Sequence, residues 1–357
     1  MQLRTAFGVV VLQVWRGKNP AEGRWGIPIR ERWGLSAHQQ LSPALQDKLA
    51  YFATVTGSYA AAAALAAKVG YGVEDSTVQT LVQRLGARAE EQTQVRLNTL
   101  PPEQAALRGP TPLGVLMIDG YLVRHRGPGW GLKTTGKSRV EWHEEKVGVF
   151  YRHEQNGAGQ LTHKVVVSWQ GEPSALGRRL HWEAQRAGLG RAKESLAVGD
   201  GAAWIWNLVQ DRWSKAHQLL DFYHASQHLH ALAESLHPRD EPSRHHWVDQ
   251  QLHDLRHGKE QRVLRRLAAL PTPRGSVGKA IRREQNYFAE HAGRMNYQKM
   301  AARGWPIGSG AVESACNQKQ GRLKRRGQFW TAKGLRHLNA LMEARDNNHW
   351  EQLWLAA

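Results

Sequence analysis

The chain has 357 residues, enough to bury a sizeable core and to hold two or three domains. Its 41% hydrophobic and 22% charged residues are ordinary for a globular protein, but 49 Lys and Arg stand against 31 Asp and Glu, a net charge of +18. So basic a surface repels itself unless it meets a polyanion, which points to nucleic acid; no stretch nears the roughly 18 apolar residues that span a bilayer, and a single cysteine, Cys316, excludes an internal disulfide or a cysteine-built zinc finger. The expected location is the cytoplasm, with the nucleoid.

Residues 1–40 mix Gly, Pro and Arg with one apolar run, Phe7 to Trp15 (FGVVVLQVW). The run follows Arg4 as a signal peptide would, but Gln13 interrupts it and a small-residue cleavage site is missing, so it reads as a strand. Residues 41–108 read as helical. Ser42 is a natural N-cap with Pro43 at the first helical position, and the alanine-rich stretch Ser58 to Val69 is closed by Gly70. A further helix opens at Glu74-Asp75-Ser76 and runs through Leu85, with Gly86 past its end. Helix, short turn, helix is the outline of a DNA-binding helix-turn-helix; an αα-hairpin packed for its own sake gives the same outline. Pro101-Pro102 and Pro110 to Pro112 mark a linker.

From 109 to 225 the period changes. Leu113 to Val123 is an apolar run suited to a buried strand, and Glu145 to Arg152 and His163 to Gln170 are two more. A helix over Pro173 to Ala187, a strand over Glu194 to Gly199, a helix over Gly201 to Trp213 and a strand over Ala216 to Phe222 follow. A three-strand meander followed by alternating helices and strands predicts an α/β ribonuclease H-like core, a mixed five-stranded sheet flanked by helices. Residues 226–300 read as a basic helical insertion, and 301–357 as helices that complete the core.

Two acids stand out against these strands. Asp119 is the one charged residue in its apolar run, and Asp200 lies between Gly199 and Gly201 after the fourth strand. First and fourth strands are neighbours in this layout, so the carboxylates would meet at one sheet edge and repel unless a cation lies between them. Mg²⁺, with Mn²⁺ able to substitute, prefers such oxygen ligands. Two ions about 4 Å apart would hold the attacking and leaving oxygens of an in-line phosphoryl transfer, first by water and then by a freed 3′-hydroxyl. A third carboxylate is expected from the helix that begins near Ser309 or Gly310, where Glu313 lies in the first turn. Asn317, Gln320 and Lys324 share its face, and Val312, Cys316 and Leu323 line another. Glu313 would also be explained by favourable placement near a helix N-terminus.

Four segments carry a family likeness. IDG at 118–120, GDGAAWIW at 199–206, LLDFYHASQHL at 219–229 and WPIGSGAVESACNQKQGRLKRRGQFW at 305–330 resemble, in this order, bacterial insertion-sequence transposases of the DDE superfamily, in the branch related to Mutator-like elements. The resemblance runs from about Leu41 to the C-terminus. It implies Asp119, Asp200 and Glu313 as catalytic, metal-holding acids, and Asp221 and His224 beside the site. It also implies metal-dependent cleavage at element ends and strand transfer into target DNA, with double-stranded DNA (terminal inverted repeats and target) as partner and a homodimer on the DNA. Relatives often carry paired N-terminal cysteines, and this chain has none there.

His224 and His228 have the i, i+4 spacing of a metal pair, but no Glu follows His224 as a zinc protease would need. Between Lys319 and Arg345 eight basic residues face only Glu343. Solvated helix faces mix signs, so Lys319, Arg322, Lys324, Arg325 and Arg326, with Trp330, are expected to bind DNA. Most of the 15 tryptophans suit a core, and base stacking suits some of them. GPGWG at 127–131 suits a turn, or a loop over the site, better than a nucleotide loop. Two other functions share this pattern: a ribonuclease H-like nuclease on branched or hybrid nucleic acid, and a non-catalytic, transposase-derived DNA-binding protein.

Overall fold

Serine caps set two of the four described helix starts in the first third of the chain. The computed structural model describes residues 1–18, 23–33, 35, 40–99, 113–131, 139–154, 160–188 and 191–354; the linker expected around Pro101-Pro102 and Pro110 to Pro112 lies outside them. Strands β1 (Gln2–Thr5) and β2 (Gly8–Val11) form an antiparallel hairpin, and β3 (Gly17–Lys18) and β4 (Trp25–Gly26) a second. The strand expected through Trp15 therefore stops at Val11. A short helix α1 (Pro28–Arg32) precedes α2 (Pro43–Val55), where the Ser42 hydroxyl accepts the Leu45 N–H at 3.3 Å. Ser58 caps α3 (Tyr59–Lys68) in the same way, at 3.0 Å from the Ala61 nitrogen, and Gly70 turns the chain out at φ +90°. Helix α4 (Asp75–Asn98) does not end at Gly86, as the sequence suggested, but runs on. The glycine serves close packing: a Cβ there would lie 2.3 Å from the carbonyl oxygen of His337.

The five-stranded sheet comprises β5 (Leu113–Arg126), β6 (Val140–Glu154), β7 (Gln160–Gln170), β8 (Glu194–Gly199) and β9 (His217–Leu220), in the order β7-β6-β5-β8-β9. Helices α5 (Pro173–Arg186) and α6 (Ala203–Arg212) join the last three. Strand β7 is antiparallel to β6, whereas β8 is parallel to both β5 and β9. Val115 to Ile118, Leu196 to Val198, Leu219 and Leu220 are all buried. Strands covered on both faces are apolar throughout rather than alternating, which is why these runs carry no period-two pattern. Each such side chain contributes roughly 1.5–3 kcal/mol by its burial.

Helices α7 (Phe222–Leu236), α8 (Glu241–Arg256), α9 (Glu260–Ala268), α10 (Ser276–Glu290) and α11 (Tyr297–Ala302) follow, then α12 (Gly310–Leu323) and α13 (Ala332–Asp346). The chain divides into two compact units, one of residues 1–99, 123–143 and 318–357 and the other of residues 100–122 and 144–317. In the first, α13 packs along α4, its backbone approaching at Gly86. In the second, α7 packs on α8 and α10. Among the described residues no helix is long and apolar enough to cross a membrane.

Candidate active site

The parallel strands put three aspartates in a row. Ile118 pairs with Gly199, and Gly199 with Leu220, so Asp119, Asp200 and Asp221 each follow a residue of the same cross-strand row. All three belong to the second unit. Asp119 accepts the Gly120 N–H at 2.7 Å. Burial pushes its carboxyl above the usual range and the negative charge of Asp200 adds to this; the Gly120 N–H, a hydrogen bond from the Cys316 thiol and the nearby His224 oppose it without reversing it. Asp200 accepts the Ala202 N–H at 2.9 Å across Gly201, which sits at φ +104°. A Cβ at Gly201 would also lie 2.7 Å from the Tyr287 ring and 2.8 Å from His291 Nε2, so glycine is required twice over.

Asp221, third in the row and buried, is turned to a different task. Its Oδ1 accepts the N–H groups of Tyr223 and His224 at 2.7 and 3.4 Å, capping α7. Its Oδ2 accepts the Ser309 N–H at 3.2 Å and the Ser309 hydroxyl. The Phe222 N–H donates to the Ile307 carbonyl at 3.0 Å. One carboxylate thus ties the start of α7, which bears His224, to the residue before α12, which bears Glu313.

Sequence reasoning missed the support around Asp200. The Tyr287 hydroxyl donates to the Asp200 carbonyl at 2.7 Å, and burial together with the charges of Asp200, Asp221 and Glu284 keeps that phenol protonated. His228 stacks on Tyr287 with ring centres 3.7 Å apart and donates from Nδ1 to the buried Glu284 at 2.5 Å. Arg283 donates to the other Glu284 oxygen at 2.7 Å. Burial alone would raise the Glu284 carboxyl, but hydrogen bonds and charge from His228 and Arg283 hold it low. His228 and Glu284 are 56 residues apart, so no local pattern announces the pair.

Asp200, His224 and Cys316 each act on the Asp119 carboxyl. Glu313 is exposed on α12, one turn before Cys316 and therefore on an adjoining position of the helix surface. Among the described residues no three His, Cys, Asp or Glu side chains are grouped closely enough to hold one metal ion. Two carboxylates at matched positions on adjacent strands, one of them raised by burial and then by the charge of the other, still suit a hard cation. Mg²⁺ binds through one or two carboxylates and fills its remaining positions with water and substrate phosphate. Glu290, the other acid near this part of the sequence, is exposed at the end of α10, where it meets the charges of His291 and Arg294.

The basic run, in the first unit, is not uniformly outward. Lys319 is 1% exposed and lies 3.8 Å from Asp346. Arg322 is 3% exposed, donates to the Ala53 carbonyl at 2.8 Å and lies over the rings of Tyr59 and Trp330. Trp330 is buried, its indole N–H donating to the Leu323 carbonyl at 2.8 Å. These three of the six expected DNA-binding residues are therefore packed inside their unit, because a helix that supplies a core must turn some long side chains inward with their stems. Lys324 is half-buried and donates to Gln320 at 2.9 Å; Arg325 and Arg326 are exposed. Replacing Lys324, Arg325 and Arg326 together by Ala is expected to weaken binding to all duplexes alike. It should also flatten the slope of log affinity against log salt by about 0.9 for each phosphate no longer neutralised. An unchanged slope in a salt titration would return these residues to ordinary solvated positions.

No family model matches the chain, and no curated protein matches it. Among solved structures it is similar to the Drosophila P element transposase strand transfer complex, at 11% identity and a TM-score of 0.32, over 91% of this chain and 83% of that one.

Proposed function

We propose that the chain is a DNA transposase with a ribonuclease H-like core and a DDE site, which cuts DNA at element ends and joins the freed ends to target DNA. The observation that carries this is the placement of Asp119 and Asp200 at matched positions on adjacent parallel strands, close enough that the charge of one raises the other. Like-charged groups are kept in such a place when a cation belongs there. Asp119 and Asp200 would hold Mg²⁺, with Glu313 supplying the third carboxylate from α12. When bound, the metal supplies Lewis-acid stabilisation of the charge that builds on the phosphoryl oxygens. The chain's own groups do the rest: Gly201 lets Tyr287 and His291 pack against the turn after Asp200, Tyr287 fixes the Asp200 backbone, and Asp221 holds the starts of α7 and α12. His224 stands within electrostatic reach of Asp119 and is the nearby group able to take or give a proton.

Three outcomes of one assay separate this function from its rivals. With DNA carrying the inverted repeats that flank the gene, a transposase yields end cleavage and strand-transfer products in Mg²⁺; a nuclease yields cleavage alone; a binding protein yields neither. The third acid has its own test. Glu313→Gln is expected to eliminate cleavage and joining, whereas Glu290→Gln, whose exposed side chain meets the charges of His291 and Arg294, stays close to wild type. Loss of activity in the Glu290 variant with an active Glu313 variant would move the third acid into the helical insertion.

A further inference from the structure

Beyond the aspartates, the first unit carries a row of rings and cations in contact. Arg124 and Arg126 fall on one face of β5 and His125 on the other, since successive strand residues point oppositely. His125 is buried, and its ring meets that of His143 at 4.6 Å. On the opposite face the Arg124 guanidinium lies 6.0 Å from the ring centre of Trp142 and 5.0 Å from that of Phe329. Phe329 packs on Trp130 at 4.7 Å, and Arg126 lies 5.9 Å from the Trp130 ring. The row is held rigidly. Arg124 donates to the Arg325 carbonyl at 2.6 Å, the Arg126 N–H to Trp330 at 2.9 Å, and the Trp330 N–H back to Arg124 at 3.0 Å.

Trp142 is 55% exposed. Arg126, Arg139, Arg325 and Arg326 are exposed in the same unit, and the carboxylate of Glu141 is paired with His143 at 3.1 Å. Rings set among cations suit a strand that offers bases to stack and phosphates to pair. A duplex offers no free base face to such rings, because its bases are already stacked on one another. An unpaired strand does.

We propose that this face binds unpaired nucleotides, with a base stacked on Trp142 and the surrounding arginines on the flanking phosphates. The surface by itself accepts any unpaired strand; that the strand is DNA rests on the function proposed above. The test has no catalytic readout, so its failure would leave the aspartate site untouched. Anisotropy of a labelled oligothymidylate, an abasic strand of the same length, an oligouridylate and a duplex would be measured on the wild type, Trp142→Ala and Trp142→Phe. The wild type is expected to prefer oligothymidylate to the abasic strand by roughly tenfold. Trp142→Ala loses that preference, Trp142→Phe keeps most of it, and duplex affinity stays within about twofold in all three. Equal binding of abasic and base-bearing strands by the wild type would overturn the proposal. So would an unchanged preference, or equal weakening on the duplex, in Trp142→Ala. Tighter binding of oligouridylate than of oligothymidylate would overturn the assignment to DNA.

Discussion

Asp119→Asn and Asp200→Asn are each expected to cut DNA cleavage in Mg²⁺ by about a thousandfold or more while leaving duplex affinity within about twofold. Stabilising the charge of an in-line phosphoryl transfer is worth several kcal/mol, and each 1.36 kcal/mol is tenfold in rate. The carboxylates do not grip the duplex, so binding is spared. Asp119→Asn has a second consequence, read in stability. Burial and the neighbouring Asp200 hold the Asp119 carboxyl above its ordinary range. The folded protein therefore keeps that proton to higher pH than the unfolded chain, and stability falls as pH rises from the ordinary value through the raised one. At neutral pH the charge is a net cost. In a chelator, Asp119→Asn should melt at a higher temperature than the wild type at pH 7, and the difference should vanish below about pH 3, where both forms are neutral. A variant that melts lower at pH 7 would contradict the electrostatics assigned to the pair.

Asp221→Ala is expected to lose activity by a different route. Its carboxylate is 3% exposed and serves the N–H groups of Tyr223, His224 and Ser309 as well as the Ser309 hydroxyl. Removing it strips the cap from α7 and leaves part-buried donors without an acceptor, at about 1–3 kcal/mol. Denaturant titration should show that loss in the midpoint, and cleavage should fall because the starts of α7 and α12 are no longer tied. Asp221→Asn keeps an acceptor for Tyr223 but sets an amide against the Ser309 N–H, so it should fall between. Wild-type stability in Asp221→Ala would remove this aspartate from its positioning role.

The five strands, the adjacency of β5 and β8 and the matched positions of Asp119 and Asp200 were legible because long apolar runs, one with a lone carboxylate inside it and one followed by another, leave few arrangements. The cap at Ser42 was legible for a local reason, a hydroxyl three residues before the donor it serves. Other features were not, because their partners are remote in sequence. Gly86 resembles a helix stop until the His337 backbone is placed against it. Tyr287, His228 and Glu284 have no shared period, and their meeting depends on how α7 and α10 pack. Lys319 and Arg322 read as part of a basic face; burial, which composition cannot reveal, turns them inward.

Metal rescue tests the aspartate site most directly. Asp200→Cys would be compared with the wild type on DNA bearing the flanking repeats, at equal concentrations, after circular dichroism shows both folded. A thiolate is a poor ligand for Mg²⁺, and Mn²⁺ stands above it in tolerance of softer donors. If Asp200 holds the metal, the variant is inactive in Mg²⁺ and regains cleavage in Mn²⁺. Full activity of Asp200→Cys in Mg²⁺, or a folded variant silent in both metals, would contradict it.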